Sequence, residues 1–171
     1  MIIYIVRHAE AVEGSETLQD EWRYLTENGR AAAGKMSSSI SKYGPKPRLT
    51  ITSPLTRAVQ TAEIMAEKAC RKNVVMASGL LLPGSDINDL ITYLKGCKGA
   101  KRVMLVGHEP HLGSLVAMLL GRERGAIELK KGACVALELD PKMDEKPAGF
   151  LWYLAPDKRL VMSFKKAFPK K

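Results

Sequence analysis

The sequence predicts an α/β fold of three layers, in which helices cover both faces of a largely parallel sheet. Apolar runs of strand length alternate along most of the chain with segments of helical period, as in parallel strands joined by helices. Near the C-terminal end two short apolar runs follow one another without a helix between them, which indicates an antiparallel pair at the sheet edge. We expect a single domain over residues 1–171, because this length suits one core.

The first half of the chain is expected to hold two strands and two helices. Thr26 is a good N-cap residue before an alanine-rich helical segment, and Gly44 with the prolines after it ends that segment. Ser53 followed by Pro54 is the favoured order at the start of a second helix. The expected elements are a strand over residues 2–6, a loop over 9–25, a helix over 27–42, a strand over 49–52 and a helix from Ser53 to about Cys70.

The second half continues the alternation and then changes. Asp86 is a good N-cap for a helix that Gly96 closes, and the strongly apolar run after that helix predicts a central strand. Pro156 and Asp157 predict the start of a final helix. The expected elements are a strand over 74–77, a helix after Asp86, a strand over 103–106, a helix over 112–120 closed by Gly121, two edge strands over 134–139 and 150–154, and the final helix.

Composition and charge exclude several classes of protein. The chain is 46% hydrophobic and 26% charged, unlike a disordered chain, and no apolar run is long enough to span a membrane. The first apolar stretch has no basic segment before it, so we expect no signal peptide and a cytoplasmic protein. The formal net charge of +9 favours anionic partners, but basic residues are not interleaved with aromatic ones, so no nucleic-acid binding is expected. The three cysteines are far apart and predict reduced packing residues.

Arginine and histidine side chains occur where the predicted strands end. Arg7 and His8 come directly after the first strand, Arg57 lies early in the second helix, and His108 follows Gly107 after the central strand. The ends of neighbouring parallel strands share one rim of a sheet, so these side chains are expected to converge. A forked guanidinium near a helix N-terminus suits a phosphate. Each feature alone is common on protein surfaces, but the combination predicts a phosphate site.

Three segments carry these residues: Val6-Arg7-His8-Ala9-Glu10, Ser53-Pro54-Leu55-Thr56-Arg57-Ala58-Val59-Gln60-Thr61-Ala62 and Val106-Gly107-His108-Glu109-Pro110. They resemble motifs of the histidine phosphatase superfamily, also called phosphoglycerate-mutase-like, although Arg-His-Ala replaces the commoner Arg-His-Gly. Two further pieces resemble the short SixA-type branch of phosphohistidine phosphatases: Arg23-Tyr24-Leu25-Thr26 with Gly29, and Trp152-Tyr153-Leu154 with Pro156. The resemblance implies a phosphoglycerate-mutase-like α/β/α sandwich.

The resemblance also implies a role for each motif residue. His8 would take the phosphoryl group on a ring nitrogen before water releases it, and Arg7, Arg57 and His108 would bind the phosphate. Fixed cations aimed at the oxygens of a phosphoryl group in transfer supply most of the catalysis of such reactions. We expect the attacking nitrogen of His8 to be neutral and its other nitrogen to donate to a carbonyl. His108 is expected to be a protonated donor to the phosphate.

Two further residues are candidate substrate ligands. Glu109 is expected to bind through its backbone N–H with its side chain in solvent, and Arg23 to reach the phosphate from the first loop. His108 and His111 are three residues apart, but they lack a third ligand and an electropositive pocket repels a divalent cation, so we predict no metal and no cofactor. Core or rim packing is expected for four aromatic residues: Trp22, Tyr24, Trp152 and Tyr153.

An acid that protonates the leaving group is not found where larger members of the family carry one. The stretch over residues 76–86 has no carboxylate before Asp86, which is expected to cap a helix. Glu10 and Glu109 stay open as proton relays. A phosphohistidine leaves as an imidazole, which solvent can protonate because its reference pKa is about 6.5. The missing acid and the short insertions therefore favour a phosphohistidine substrate.

Three functions stay open at this point. The first is a phosphatase that hydrolyses phosphohistidine on a partner protein, and the second is a phosphatase of small phosphate monoesters or anhydrides. The third is a noncatalytic phospho-binding module, against which the intact His8 argues. The excess positive charge would help to dock an acidic partner protein.

Overall fold

The computed structural model describes residues 1–69, 74–97, 99–140 and 146–169. The expected end of the second helix at Cys70 lies outside these ranges. The strands are β1 Ile2–Arg7, β2 Leu49–Thr52, β3 Val75–Ala77, β4 Arg102–Gly107, β5 Cys134–Glu138 and β6 Gly149–Leu154. The α-helices are α1 Glu27–Tyr43, α2 Thr56–Ala69, α3 Ile87–Gly96, α4 His111–Leu119 and α5 Phe164–Ala167, and two short 3₁₀ turns lie at Asp20–Trp22 and Gly79–Leu81.

One six-stranded sheet forms the middle layer, in the order β3-β2-β4-β1-β5-β6. The strands β3, β2, β4 and β1 are parallel, and β5 pairs antiparallel with both β1 and β6. The predicted α/β class and the antiparallel pair at the sheet edge are confirmed. The strand that runs against the others is β5, which is second from the edge rather than outermost, because β6 reverses direction again.

Both faces of the sheet are buried, and successive side chains of a strand pack into the core layer on one face and then on the other. In β1, Ile3 and Ile5 belong to the core layer shared with α3 and α4, whereas Tyr4 and Val6 belong to the layer shared with α1 and α2. Successive side chains of a strand point to opposite faces, so a strand buried on both sides is apolar throughout. The run of apolar residues in β1 is therefore the direct consequence of the three-layer arrangement.

Two predicted helix caps, at Thr26 and Asp86, are present, whereas the predicted helix start at Ser53 is wrong. The N–H of Ser53 still bonds to Val106 beside β2, and α2 begins only at Thr56. The hydroxyl of Thr26 accepts the backbone N–H of Gly29 at 3.0 Å, and the carboxylate of Asp86 accepts the backbone N–H of Asn88 at 2.8 Å. Each cap satisfies one of the free amides in the first helical turn. The cap prediction for Asp86 is thus confirmed, and its carboxylate is occupied at the start of α3.

The predicted start of the final helix at Pro156 and Asp157 is wrong. Asp157 has a φ of 54°, in the left-handed region, so the chain turns there instead of entering a helix. Val161 then pairs with Tyr153 through two backbone hydrogen bonds of 2.9 Å. This pairing places the segment alongside β6, and α5 begins only at Phe164.

The described helices and cysteines add two findings. None of the helices in the described ranges is long and apolar enough to cross a membrane. Cys97 and Cys134 are free thiols, and burial of Cys134 raises the pKa of its thiol. A buried thiol of this kind packs as a small apolar group and reacts poorly.

The first loop packs directly on the start of α1, which gives a stability prediction. A Cβ at Gly29 would collide with the backbone carbonyl of Glu10, whereas a Cβ at Gly34, in the same helix, would meet open space. We expect Gly29→Ala to lower the free energy of unfolding by about 2 kcal/mol or more. Gly34→Ala should raise it by about 1 kcal/mol through helix propensity. Urea denaturation measures both, and equal stability of the two variants would contradict this packing.

Candidate active site

Backbone hydrogen bonds join the ends of three neighbouring strands at one rim of the sheet. The N–H of His8, just after β1, donates to the carbonyl of Gly107 in β4 at 2.9 Å, and the N–H of Ser53, just after β2, donates to that of Val106 at 2.9 Å. The segments that leave these strands therefore start side by side. This geometry brings together the residues that the sequence placed at the strand exits.

His8 is buried and held in one tautomer. Its Nδ1 lies 2.7 Å from the carbonyl oxygen of Ala9, and a carbonyl can only accept, so Nδ1 carries the proton. Burial lowers the pKa of His8 to about 4, and the positive charges of Arg57, Arg7 and Lys131 act in the same direction. At neutral pH the Nε2 of His8 is therefore an unprotonated lone-pair donor, as the sequence led us to expect.

The residue after His8 is fixed by α2. The N–H of Ala9 donates to the hydroxyl of Thr61 at 3.1 Å, and this hydroxyl donates to the carbonyl of Arg57 at 2.7 Å. Ala9, whose carbonyl sets the tautomer of His8, is thus bonded through its N–H to the helix that carries Arg57.

His108 lies against His8, with ring centroids 5.0 Å apart and planes inclined by 54°. Its Nε2 is 2.8 Å from the hydroxyl of Ser53, and its Nδ1 is buried with no hydrogen-bond partner among the described residues. Burial is the main cause that lowers the pKa of His108 to about 3, and the charges of the nearby His8 and Arg57 act in the same direction. Burial among cations disfavours a further positive charge, so the ring is neutral in the free protein. The expected donation from a protonated His108 to a bound phosphate stays a prediction.

Arg57 is the second residue of α2 and is buried. Its Nη1 donates to the backbone carbonyl of Asp20 at 2.6 Å, and its Nη2 donates to the Asp20 carboxylate at 2.9 Å. The two arginines Arg23 and Arg57 lower the pKa of Asp20 and keep it ionised, against the opposing effect of its partial burial. Asp20 gives the buried guanidinium a counter-charge that the sequence did not indicate.

Arg23 reaches this group through the same aspartate. Its Nη1 donates to the second carboxylate oxygen of Asp20 at 3.0 Å, and its Nε donates to the carbonyl of Val12 at 2.7 Å. Its Nη2 lies 3.5 Å from Glu13. Arg23 is therefore bound to its own loop and lies one carboxylate away from Arg57, and its contact with phosphate stays a prediction.

Arg7, the last residue of β1, is oriented by the segment before β5. Its Nη1 donates to the carbonyl of Leu129 at 2.6 Å, and its Nε is buried without a partner among the described residues. The expected solvent-facing side chain of Glu109 is instead turned inward, toward the backbone amides of Leu129 and Gly113. Burial raises the pKa of Glu109, while these amides and the charge of Arg7 oppose the rise. These amides and Arg7 partly offset the cost of burying the carboxylate, whose Oε1 has no hydrogen-bond partner among the described residues.

The remaining sequence candidates have partners of their own. Glu10 accepts the hydroxyl hydrogen of Thr26 at 2.7 Å. The Nε2 of His111 lies 3.5 Å from the hydroxyl of Ser85, and burial lowers its pKa. Within the described ranges, no three His, Cys, Asp or Glu side chains are grouped as a metal ion would require.

Sequence reasoning missed three residues that support the cluster: Asp20, Ser53 as the partner of His108, and Thr61. Asp20 and Ser53 act across 37 and 55 residues of chain. A short sequence motif does not indicate which distant residue its side chains will contact in the folded chain. The one available signal was the spacing of three residues between Asp20 and Arg23, which suits an ion pair within one turn.

The cluster as a whole is suited to an anion with several oxygens. Arg7, Arg57 and Lys131 supply positive charge around a neutral His8, and the free Nδ1 of His108 is an additional polar atom without a partner. A neutral imidazole is a nucleophile that can lie among fixed cations without electrostatic repulsion. Because it carries no negative charge, it also leaves those cations free to bind an anion. The arrangement can therefore bind a phosphoryl group and attack it.

Comparisons with known proteins agree with this chemistry. Residues 3–80 match the model of the histidine phosphatase superfamily (branch 1). An uncharacterized protein of Picosynechococcus sp. strain PCC 7002 is 30% identical over 140 residues, which are 80% of this chain and 84% of the relative. The protein histidine phosphatase SixA, solved with tungstate, aligns with a TM-score of 0.79 and 25% identity over 91% of this chain and 97% of its own. The alpha-ribazole phosphatase from Shigella flexneri shares the fold, with a TM-score of 0.70 and 15% identity over 95% and 96% of the two chains.

The lowered histidine pKa values predict how stability depends on pH. In the folded chain the pKa is about 4 for His8 and about 3 for His108, whereas both are near 6.5 in the unfolded chain. Between these values the unfolded chain binds more protons than the folded chain. The contribution of these histidines to the free energy of unfolding should therefore be at its maximum above about pH 7. It should fall by about 1 kcal/mol per pH unit for each histidine as the pH drops below about 6.5.

Urea denaturation between about pH 5 and 7, above most carboxylate titration, measures this slope. His8→Asn and His108→Asn should each make the slope shallower than in the wild type. An unchanged slope in both variants would mean that these rings titrate normally in the folded protein.

Proposed function

Because the chain belongs to the histidine phosphatase superfamily, in its SixA-type branch, we propose that it is a phosphohistidine phosphatase that acts on a partner protein. Membership of the family and the likeness to SixA support a phosphatase; the substrate is the proposed part. The observation that carries the proposal is the combination of a neutral, tautomer-fixed His8 with three candidate carboxylates, those of Glu10, Asp20 and Asp86, that are engaged elsewhere.

His8 is the proposed nucleophile. With the proton of its ring held on Nδ1 by Ala9, the lone pair of Nε2 attacks phosphorus, and the bond from phosphorus to the substrate nitrogen breaks. The released imidazole takes up a proton from solvent. Water then attacks the phosphorus on His8, the bond from phosphorus to Nε2 breaks, and inorganic phosphate leaves.

Arg7, Arg57 and His108 are the proposed phosphate ligands. Asp20 occupies the two terminal nitrogens Nη1 and Nη2 of Arg57, which leaves Nε and the second hydrogens of those nitrogens for phosphate oxygens. The hydroxyl of Ser53 can donate to Nε2 of His108, so that Nδ1–H of His108 is available to the phosphate. An anion at this place would also raise the pKa of His108 and favour its protonation.

The engaged carboxylates favour a phosphorus–nitrogen bond in the substrate. Asp86 caps α3, Glu10 holds Thr26, and Asp20 is kept ionised between two arginines, so none of them is set up to give a proton to an alkoxide. Glu109 has a raised pKa, and its carboxylate faces the amides of Leu129 and Gly113 while its Oε1 has no partner among the described residues, so it is the carboxylate that the alternative function would use as acid. An imidazole leaving group needs no acid from the enzyme near neutral pH, because its reference pKa is about 6.5.

The short connections on this rim support a protein substrate. Only residues 53–55 separate β2 from α2, and only residues 108–110 separate β4 from α4. Neither of these two connections is long enough to fold over the cluster as a lid. The longer loop between β1 and α1 is bound to Arg57 through Asp20. The two short connections therefore favour entry of a side chain that projects from another protein.

Removal of the nucleophile tests whether the chain is an enzyme of this kind. His8→Ala should lose turnover of a phosphohistidine protein by about 10³-fold or more, because it removes the lone pair that attacks phosphorus. The wild type should form a base-stable, acid-labile phosphoenzyme in rapid-quench experiments with radiolabelled substrate, and the variant should not. His111→Asn, a second buried histidine outside the phosphate cluster, is the matched control and should keep most activity. Unchanged turnover in His8→Ala would refute the mechanism.

A substrate panel tests the proposed specificity. The wild type should hydrolyse a phosphohistidine protein with a kcat/KM about 10²-fold or more above that for sugar phosphates and glycolytic phosphate esters, because the esters require a leaving-group acid. Initial rates of phosphate release measure both. A clear preference for esters would instead establish the alternative, a small-molecule phosphatase, and would point to Glu109 as its acid. Binding of phosphate compounds without any turnover would establish a phospho-binding module.

A further inference from the structure

Two large aromatic side chains are exposed to solvent close to the phosphate cluster. Trp22 is 66% exposed and Tyr24 is 49% exposed, whereas Trp152 and Tyr153 are only 4% and 8% exposed. Of the two expected roles, core or rim packing, the second pair packs in the core, whereas the first pair is exposed and does not. An exposed tryptophan beside an exposed tyrosine is an uncommon use of residues that normally bury most of their area.

The contacts of Asp20 fix where these aromatic residues lie. Asp20 and Trp22 belong to the same 3₁₀ turn, and Asp20 is joined to Arg57 by two hydrogen bonds. Because two residues of chain span at most about 7 Å, Trp22 lies at the edge of the phosphate cluster. Arg23, between Trp22 and Tyr24, is bound through Asp20 and Val12, so the two aromatic residues stand on a fixed segment.

We propose that Trp22 and Tyr24 form a docking surface for the protein that carries the phosphohistidine. This inference rests on the proposed function and names the residues that recognise its substrate beyond the phosphoryl group. Tyrosine and tryptophan supply large contact areas with few rotatable bonds, which is why they dominate the binding energy of many protein interfaces. Arg7, Arg57 and His108 are sufficient for a small phosphate compound, whereas the aromatic pair lies where the surface around a phosphorylated side chain would rest.

Charge and area indicate the kind of partner. Lys130 and Lys131 are exposed and the charge of Lys131 acts on His8, so acidic groups of the partner are favoured on this side of the cluster. On the side of Trp22 the exposed carboxylates of Glu13 and Glu21 favour basic groups of the partner instead. Each aromatic side chain can bury about 150–250 Å². A stable complex buries about 1,200–2,000 Å² in total. The pair therefore suits a transient encounter with a substrate protein of this charge pattern better than a permanent dimer of this chain.

Two substrates and three variants test the docking surface. One substrate is a small acidic protein phosphorylated by phosphoramidate on a single surface histidine, and the other is phosphoramidate itself. Trp22→Ala and Tyr24→Ala should each lower kcat/KM for the protein by about tenfold, mainly through KM, and leave kcat/KM for phosphoramidate within about twofold. Trp22→Phe should restore most of the loss, because it keeps an aromatic surface.

Tyr43→Ala is the matched control. Tyr43 is also an exposed tyrosine, at 41%, but it ends α1, which starts at Glu27. At 1.5 Å per residue it lies about 24 Å along the helix from that start. Tyr43→Ala should therefore leave kcat/KM unchanged for both the phosphohistidine protein and phosphoramidate.

The outcomes separate this inference from the proposed function. Unchanged activity of Trp22→Ala and Tyr24→Ala on the phosphohistidine protein would overturn the docking surface while the wild-type activity stands. An equal loss on both substrates would also overturn it, because Trp22 would then support the Asp20 turn and not the partner. A preference of the wild type for esters over the phosphohistidine protein would instead refute the proposed function.

Discussion

The parallel pairing of β1, β4 and β2 is the constraint on which the site depends. Their register aligns the ends of all three strands, and the hydrogen bonds from His8 to Gly107 and from Ser53 to Val106 continue the pairing beyond the strands. His8, His108 and the start of α2 are adjacent for this reason. A shift of one residue in any of these strands would turn its side chains to the opposite face of the sheet, so the apolar core that fixes the register also fixes the site.

Burial then determines the charge state of the cluster. His8 and His108 lie among guanidinium groups, and each ring stays neutral because a further buried positive charge would be costly. For His8 this neutrality preserves the attacking lone pair. For His108 it means that the charge expected from the sequence arises only when an anion changes the local potential. The same geometry thus suits one histidine to the proposed role of nucleophile and the other to the proposed role of phosphate ligand.

The sequence was sufficient wherever local patterns decide the outcome. The bounds of β2, the caps at Thr26 and Asp86 and the strand-exit positions of His8 and His108 follow from residue type and spacing. It failed where distant parts of the chain meet. The turn after β6 replaces a helix because Val161 pairs with Tyr153. Asp20 and the inward Glu109 likewise depend on groups that only the folded chain brings near them.

Asp20 connects the chemistry of the cluster with the recognition of its substrate. A buried arginine without a counter-charge would be strongly destabilising, and Asp20 removes that penalty for Arg57 while it also binds Arg23. Because both oxygens of one carboxylate are used, the turn of the first loop has little freedom to move. A loop fixed in this way can carry specificity, since the side chains beside Asp20 are held at a constant position relative to the phosphate ligands. Variation at positions 22 and 24 can then alter the preferred partner without disturbing His8 or the strand ends that position it.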